Sequence, residues 1–488
     1  MSVLTPGRDD WAGRLTALID RHQVPLACIA STALLLALHY HYNITFLPND
    51  AAEYWHFSKP GVLGNLPTHR GYVWALLLLP LHFVYDAAGH LLTTFRLGLS
   101  LAYGVLLPTL LPAVFVQAFG GKVSFLRRLL PVCLLAQLFP GLLLYPLSDL
   151  PALLMALAAL LCVLRALQPS TPRTAALTLI VMSGVLMGAA YNTRTIYLFA
   201  LVGLSVMLTL RSGLAKCSFQ RWLGLTAFAT GLLAVSLPQL TINQRTHGVT
   251  SLAVISHLTD KQLFAKQLLW GITLQRYETV LPQPAAGGAA AFYIDPAGER
   301  LFRKLAGEGH RLSIGGYLKM VARHPMDFAA LYARHAINGL DVRDGMVYTL
   351  KPSPLRNRTA LYNFSVLALA AWVAWTLRRQ AATGVRTAPF GWRLSLVVLM
   401  LPVVAILPGA IETRFFLPLH LLAYCVIAFH FDAAALRQSF RREGKALVVV
   451  TAIAAGLFFA VTLSTMAQLQ STWPIYFRDG MPQKNGGG

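Results

Sequence analysis

A few acids and arginines carry most of the chemical interest in this chain. Asp50 and Glu53 stand three residues apart in Asn49-Asp50-Ala51-Ala52-Glu53-Tyr54, a spacing that puts both carboxylates on one face of a helix. Such a pair can accept a proton from a hydroxyl held between them. The same spacing is that of a capping box, with Asp50 as N-cap and Glu53 reaching back. The two readings are compatible, because a capping Asp at a membrane surface can still serve as a base. Asp149, in Ser148-Asp149-Leu150-Pro151, is either a further acid or, with Ser148, a cap over a helix whose first turn holds Pro151. Arg194 and Arg414 interrupt otherwise apolar segments. A cation there is costly without a partner. That partner is an acid, such as Glu412 beside Arg414, or an anionic ligand such as a phosphate. Arg70, beside His69, is less informative, since an arginine at a membrane edge can snorkel.

The elements that must position these residues follow from composition. The 488 residues are 56% hydrophobic and only 12% charged, about half the charge of a soluble domain, and the mean hydropathy is +0.56. So few charges cannot coat several soluble domains, and so much apolar content excludes disorder. The net charge of +22 is spread between apolar runs rather than on one patch, which argues against a nucleic-acid partner. Runs long enough to span a bilayer lie near 24–45, 91–119, 124–144, 147–168, 175–190, 194–211, 222–242, 361–379, 391–411, 414–431 and 446–468. The 71–86 stretch is apolar but short, and reads as a helix at or dipping into the membrane face. The first run is of full spanning length behind a mixed-charge segment (Arg8, Asp9, Asp10, Arg14), so it reads as a retained helix. Alternate connections carry 19 Lys and Arg, against four in the short connections opposite. That bias places the N-terminus in the cytoplasm, and an odd number of crossings, 11 or 13, places the C-terminus outside. The cysteines show no metal or redox spacing and read as packing residues.

The expected organisation is a membrane module at 1–242 with an external loop at 46–70, an external domain at 243–360, closing membrane helices at 361–468 and an external tail at 469–488. The external domain carries helical patterns at 297–308, 313–323 and 325–340, the last starting at Pro325, after a flexible stretch marked by Pro282, Pro284, Gly287 and Gly288. Its His310, His324 and His335 have no metal-pair spacing, and the polar residues of Arg323-His324-Pro325-Met326-Asp327 fit a helix cap. Asn485-Gly486-Gly487-Gly488 reads as a disordered tail. No GxGxxG or P-loop motif is present.

Taken in order, several motifs resemble those of the GT-C superfamily of integral-membrane glycosyltransferases, which includes protein O-mannosyltransferases and the aminoarabinose transferase of lipid A. They are the acidic Asn49-Asp50-Ala51-Ala52-Glu53-Tyr54 after the first apolar run, Leu66-Pro67-Thr68-His69-Arg70-Gly71-Tyr72, and Thr94-Phe95-Arg96-Leu97-Gly98-Leu99-Ser100. Ser148-Asp149-Leu150-Pro151 follows, then Leu237-Pro238-Gln239 with Asn243 and Gly248, and Thr413-Arg414-Phe415-Phe416-Leu417-Pro418. The resemblance runs over roughly residues 24–430. It implies an all-α polytopic protein, a GT-C-like bundle of about 11 (11–13) transmembrane helices with a mainly helical periplasmic domain, in a bacterial-type cytoplasmic (inner) membrane.

The activity it implies is an inverting sugar transfer from a polyprenyl-phosphate donor to an acceptor hydroxyl at the periplasmic face. The acceptor would be a cell-envelope glycan, a glycolipid or a protein. Asp50 matches the family's first acid and is the expected base, with Glu53 as a second acid. Arg414 and Arg194 are the expected phosphate contacts, and Asp149, Arg70, His69, Tyr54 and Glu412 complete the candidate substrate-binding set. Many members have adjacent Asp-Glu where this chain has Asn49-Asp50, which leaves open whether Asp50 or Glu53 is the base. The resemblance fixes no cofactor: some relatives use a divalent cation, and one enters here if Asp50, Glu53 and Asp149 share it, which would be a sparse oxygen shell. Two alternatives stand beside this reading. One is an O-antigen ligase or polymerase relying on loop residues such as Arg334 and His335. The other is a flippase or transporter for lipid-linked sugars, for which an internal repeat would be the sign.

Overall fold

The computed structural model describes residues 19–62, 64–88, 91–211, 218–258, 261–280, 289–307, 313–349, 354–382, 389, 391–471, 476–478 and 481–483. The N-terminal segment around Arg8 and Arg14, Cys217, the 281–288 stretch, His310 and the closing glycines lie outside the described residues. The described chain is predominantly helical. Eight of its helices are long and apolar enough to cross a membrane by length and composition, the build of a multi-pass membrane protein.

Most expected runs form helices at the expected places, including Gln23–Tyr42, Leu91–Phe119, Asp149–Ala166, Arg173–Thr193, Ser218–His247 and Arg356–Ala382. The 71–86 stretch is the helix Tyr72–Ala88. Three runs are shorter than a full span. The 124–144 run breaks at Phe139, whose backbone leaves the helical region just ahead of Pro140, giving Phe125–Leu138 and Pro140–Leu144. The 194–211 and 391–411 runs contain helices of only 14 and 15 residues, Leu198–Arg211 and Trp392–Ile406. Both stop short next to residues of the charged cluster described below, where polar groups hold the backbone in irregular turns.

The Asp149–Ala166 helix is the centre of the bundle. It is apolar on nearly every side and almost wholly buried, as a helix without a solvent or lipid face should be. Leu91–Phe119 and Arg173–Thr193 pack on either side of it, and Ser218–His247 packs outside the latter. A Cβ on Gly184 would strike the Phe228 carbonyl, and one on Gly231 the Val181 carbonyl. Paired glycines thus let these two backbones approach, which substitutes for hydrophobic driving force between apolar helices.

One end of the bundle carries a second, mixed layer built from residues 248–355 and the segment after the last helix. Its expected helices are present as Pro296–Gly307, Ile314–Arg323 and Pro325–Leu340. They cover a small core of Leu268, Ile272, Leu301, Tyr317, Phe328 and Leu331. The layer is not mainly helical throughout. A four-stranded sheet joins Leu274–Val280 antiparallel to Ala289–Ile294, with Tyr348–Thr349 parallel on one edge and Leu469–Ser471 antiparallel on the other. Pairing by residues 469–471 places the start of the C-terminal tail on this same side.

His335 clamps the layer to the bundle. It is fully buried, with one ring nitrogen 2.6 Å from the Leu407 carbonyl and the other 2.8 Å from that of Leu274. Near it, Asp341 binds both Arg276 (2.9 Å) and Arg343 (2.6 Å). Arg343 also donates to Asn357 and Thr462 on two membrane helices.

Candidate active site

The helix Asn49–Phe57 presents the two acids. Its N-cap is Pro48, with no side-chain cap, so Asp50 lies inside the first turn and the expected capping box does not form. Both carboxylates turn to Arg70 instead. Arg70 Nη2 lies 2.6 Å from Asp50 Oδ1 and 2.6 Å from Glu53 Oε2, while Nε donates to Glu53 at 3.0 Å. Its Nη1 donates to the Tyr54 hydroxyl at 2.9 Å, and the guanidinium sits over the Tyr54 ring. His69 approaches the other Glu53 oxygen at 3.2 Å. Arg70 is therefore a clamp on the acids rather than a snorkelling cation. The sequence offered a signal for it: a His-Arg pair after Pro67, a short loop away from two carboxylates.

A second acid–arginine group continues from the first. Arg414 Nη2 is 3.4 Å from Asp50 Oδ2, its Nη1 is 3.7 Å from Asp149, and its Nε donates to Glu412 at 2.8 Å. Asp149 faces Arg194 at 2.5 Å. Asp149 heads its helix, but neither it nor Ser148 forms the expected side-chain cap. For Arg194 and Arg414, the acid partners that the sequence allowed are in place. The side chains thus alternate as Glu53, Arg70, Asp50, Arg414, Asp149 and Arg194. Arg414 and Asp149, 9% and 4% exposed, are the most buried of the six, while Asp50 at 34% is the most open.

Irregular backbone at helix ends makes this convergence possible. Arg194 is the extended residue closing Arg173–Thr193, and Arg414 sits in the single turn Thr413–Phe416 ahead of Leu417–His430. Phe415 lies against both guanidinium groups. Asn192 accepts from the Val73 amide and donates to Gln239, which in turn donates to Asn243; Asn243 holds the Ser251 and Ala253 carbonyls. This relay ties the start of the Tyr72 helix, just past Arg70, to the end of the helix that carries Arg194. It also gives Gln239 and Asn243 a positioning role. At Gly71 a Cβ would strike the Asn192 carbonyl.

The electrostatics follow from this alternation. Burial opposes the Asp50 carboxylate, but Arg70, Arg414 and Arg194 outweigh it and hold its pKa well below the usual carboxylate range. Glu53 is likewise lowered, burial being outweighed by His69 and Arg70. Arg70 remains cationic, because Tyr54, Asp50 and Glu53 outweigh its burial. Among the described residues no three His, Cys, Asp or Glu side chains converge closely enough to hold a metal ion. Arg70 stands between Asp50 and Glu53, and Arg414 between Asp50 and Asp149, so those three acids do not form the oxygen shell a shared divalent ion would need.

Arg414 borders two cavities. One, a narrow space of about 20 Å³, is lined by Asp149, Arg194, Tyr197, Pro402, Ile406 and Phe415. The other, also about 20 Å³, lies toward the sheet and is lined by Arg276, Glu278, Thr279, Asp344, Glu412 and Thr413 among others. Arg276 and Glu278 were not singled out from the sequence. A larger cleft of about 340 Å³ lies at the opposite end of the bundle, by Lys122, Arg127 and Asp432. Converging buried charge, not volume, singles out the site. His324 and His335 play no part in it: His324 lies 3.9 Å from Asp327 at the start of its helix, and His335 is the buried clamp.

No protein-family model matches the chain, and no curated protein matches it. Among solved structures, it is similar to the archaeal oligosaccharyltransferase AglB from Archaeoglobus fulgidus, determined in complex with an inhibitory peptide and a dolichol-phosphate. The identity is 12% and the TM-score 0.40, over 91% of this chain. The chain spans 55% of that protein's length.

Proposed function

We propose that the protein is a GT-C-type inverting glycosyltransferase that moves a sugar from a polyprenyl-phosphate donor to an acceptor hydroxyl at the periplasmic membrane face. The observation that carries the reading is Asp50, held between Arg70 and Arg414, with Arg414 continuing to Asp149 and Arg194 beside an apolar-walled cavity. The donor phosphate takes the Arg414 and Arg194 side of the site. Its isoprenoid leaves along the wall of Tyr197, Pro402 and Ile406. An acceptor hydroxyl gives its proton to Asp50 and its oxygen attacks the anomeric carbon. The bond from that carbon to the phosphate oxygen breaks, its electron pair stays on the phosphate, and the configuration inverts. Charge grows on the leaving phosphate, and cations already in place stabilise it.

Asp50 suits the base better than Glu53. It shares Arg414 with the phosphate position, whereas Glu53 is held by Arg70 and His69 on the far side. A phosphate drawing on Arg414 and Arg194 loosens their hold on Asp50, so donor binding raises the basicity of the carboxylate when it is needed. The ligase-like reading loses support: Arg334 is paired with Asp295 at 2.6 Å, and His335 is buried between two carbonyls.

The test is Asp50→Asn. Mass spectrometry of cell-envelope glycans and glycolipids, from cells with and without the protein, identifies the product. The variant is then expected to lose its formation by roughly 10²–10⁴-fold, the usual contribution of a general base, while the purified protein keeps its fold. Normal product from Asp50→Asn would end the assignment of the base. No envelope difference between the two cell types would end the transferase reading.

A further inference from the structure

We infer that the end of the bundle opposite the site holds one anionic phospholipid, its headgroup on Lys122 and Arg437 and an acyl chain in a groove between the Arg356–Ala382 and Ala433–Ala460 helices. The inference is independent of the transferase reading and would survive its failure. Two spaces meet here. One is the cleft of about 340 Å³ by Lys122, Arg127 and Asp432, with Thr376 and Gln380 also in its wall. The other, of about 510 Å³, is lined by Ala368, Leu369, Trp372, Phe440 and Leu447 together with Arg437. Phe431 and Leu436 line both, so a polar cleft and an apolar groove are neighbours across one layer of side chains. Along the Arg356–Ala382 helix the lining runs from Ser365 in the groove to Gln380 in the cleft, roughly 22 Å at about 1.5 Å per residue. A bilayer is about 40–45 Å thick with its headgroups. The two spaces together are therefore as long as one leaflet is deep.

Both spaces have fixed walls. The Lys122 amide donates to the Phe429 carbonyl at 2.9 Å, and a Cβ on Gly121 would strike that same carbonyl. The turn ahead of Phe125–Leu138 is thus pressed onto the end of Leu417–His430. The Ala433–Ala460 helix breaks at Glu443, whose backbone leaves the helical region. Glu443 accepts from Trp375 Nε1 at 2.6 Å and meets Arg379 Nε at 2.9 Å, both on the neighbouring helix. Leu436 and Phe440 before the break and Leu447 and Thr451 after it all line the groove. Ala433–Ala460 has no buried residue among those described, so the protein alone gives it little cover. Charge decides the occupant. Lys122, Arg127 and Arg437 face one acid, Asp432. That acid is already engaged: its Oδ1 accepts the Ala434 and Ala435 amides at 3.0 and 3.2 Å, and Lys122 lies 3.7 Å from its other oxygen. Arg127 points to the Ala428 and Phe431 carbonyls and adds only its field. Lys122, 78% exposed, and the exposed Arg437 are the cations a headgroup phosphate can reach. A zwitterionic headgroup would bring a further cation to this surplus, and an anionic one would not.

Native mass spectrometry of the full-length protein tests this. The protein is released from vesicles of equal phosphatidylcholine and phosphatidylglycerol with matched acyl chains, and the lipids that stay bound are counted. The expected result is one retained phosphatidylglycerol, preferred over phosphatidylcholine by about tenfold or more, the scale of two basic side chains at a membrane surface. Lys122→Gln combined with Arg437→Gln should remove most of that preference. Both side chains are exposed, so the fold should persist, checked by the thermal midpoint in phosphatidylcholine alone. Ala368→Trp should fill the groove and cut retention of either lipid. Equal retention of the two lipids would overturn the inference. So would a preference untouched by the double variant, or retention untouched by Ala368→Trp. A lipid-free dimer would overturn it as well, by giving the groove to a second copy of the chain.

Discussion

Arginines at the two ends of the bundle do different work. At the end opposite the site, Arg127 donates to the carbonyls of Ala428 and Phe431 at 3.2 and 2.7 Å, and Arg128 to that of Pro108 at 2.9 Å. These are backbone acceptors freed at helix ends and at an internal proline, the groups that cations near a helix C-terminus satisfy. At the site end, Arg70, Arg194 and Arg414 bind carboxylates, and Arg414 is 9% exposed. The Leu417–His430 helix links the two ends, 14 residues or roughly 20 Å apart. An arginine on a carbonyl closes a helix cheaply at a wet edge. A line of buried arginines and acids is expensive to assemble, and a simple apolar seam would be at least as stable. Under the proposed function its charges have a reaction to perform. The difference shows why the net charge of +22 says little by itself: a sum does not tell one kind of arginine from the other.

The largest break in that contrast should come from Arg414→Met. It leaves Glu412 buried without its cation, a loss of about 3–5 kcal/mol for an orphaned buried partner, while Asp149 keeps Arg194, and it removes the proposed phosphate contact. Activity should fall by 10³-fold or more, checked by product formation, and the thermal midpoint should drop. Arg70→Gln separates charge from fold at a more exposed position. With the folded-state pKa of Asp50 and Glu53 lowered, their ionised form is favoured. Their contribution to stability is therefore full above the unfolded carboxylate pKa, roughly 4, and is lost as pH falls through the lowered folded values. Removing Arg70 raises those values. The acid limb of the kcat/KM profile should move up toward the ordinary carboxylate range, and resistance to acid unfolding should shrink. An unmoved acid limb would show that Arg70 does not set the state of the base.

Much of the fold was legible because bilayer-length apolar runs are a strong signal. The positions of Asp50, Glu53, Asp149, Arg194 and Arg414 were legible because polar residues in apolar surroundings demand a reason. Two things were not. The Leu274–Val280 strand, Leu-Gln-Arg-Tyr-Glu-Thr-Val, is short and polar; its aromatic and β-branched residues hinted at a strand, but partners at 289–294, 348–349 and 469–471 cannot be read from local pattern. Arg276 and Glu278 were missed with it. Arg70 was uninformative in the sequence for a related reason: snorkelling and clamping need the same residue at the same membrane edge. Only the packing of the Tyr72 helix through Asn192 decides between them. The capping readings of Asp50 and Asp149 were sound local chemistry, overridden by arginines distant in sequence.

Arg127→Met gives the smallest effect and the sharpest control. It removes two hydrogen bonds from a charged donor to the Ala428 and Phe431 carbonyls in a half-buried position where water can take over both acceptors. Such bonds are worth about 1.5–3 kcal/mol each when the acceptor is left bare; with water replacing the arginine at both carbonyls the cost falls to about 1–2 kcal/mol, seen as a modest drop in thermal midpoint. Product formation per folded protein should stay within about twofold of the parent, because nothing in the line from Glu53 to Arg194 depends on Arg127. The same charge is removed as in Arg414→Met, so the comparison cancels any general effect of lowering the net charge on membrane insertion or lipid attraction. If Arg127→Met cost as much activity as Arg414→Met, the two ends of the bundle would have to be coupled through the Leu417–His430 helix. The division between helix-closing and catalytic arginines would then fail.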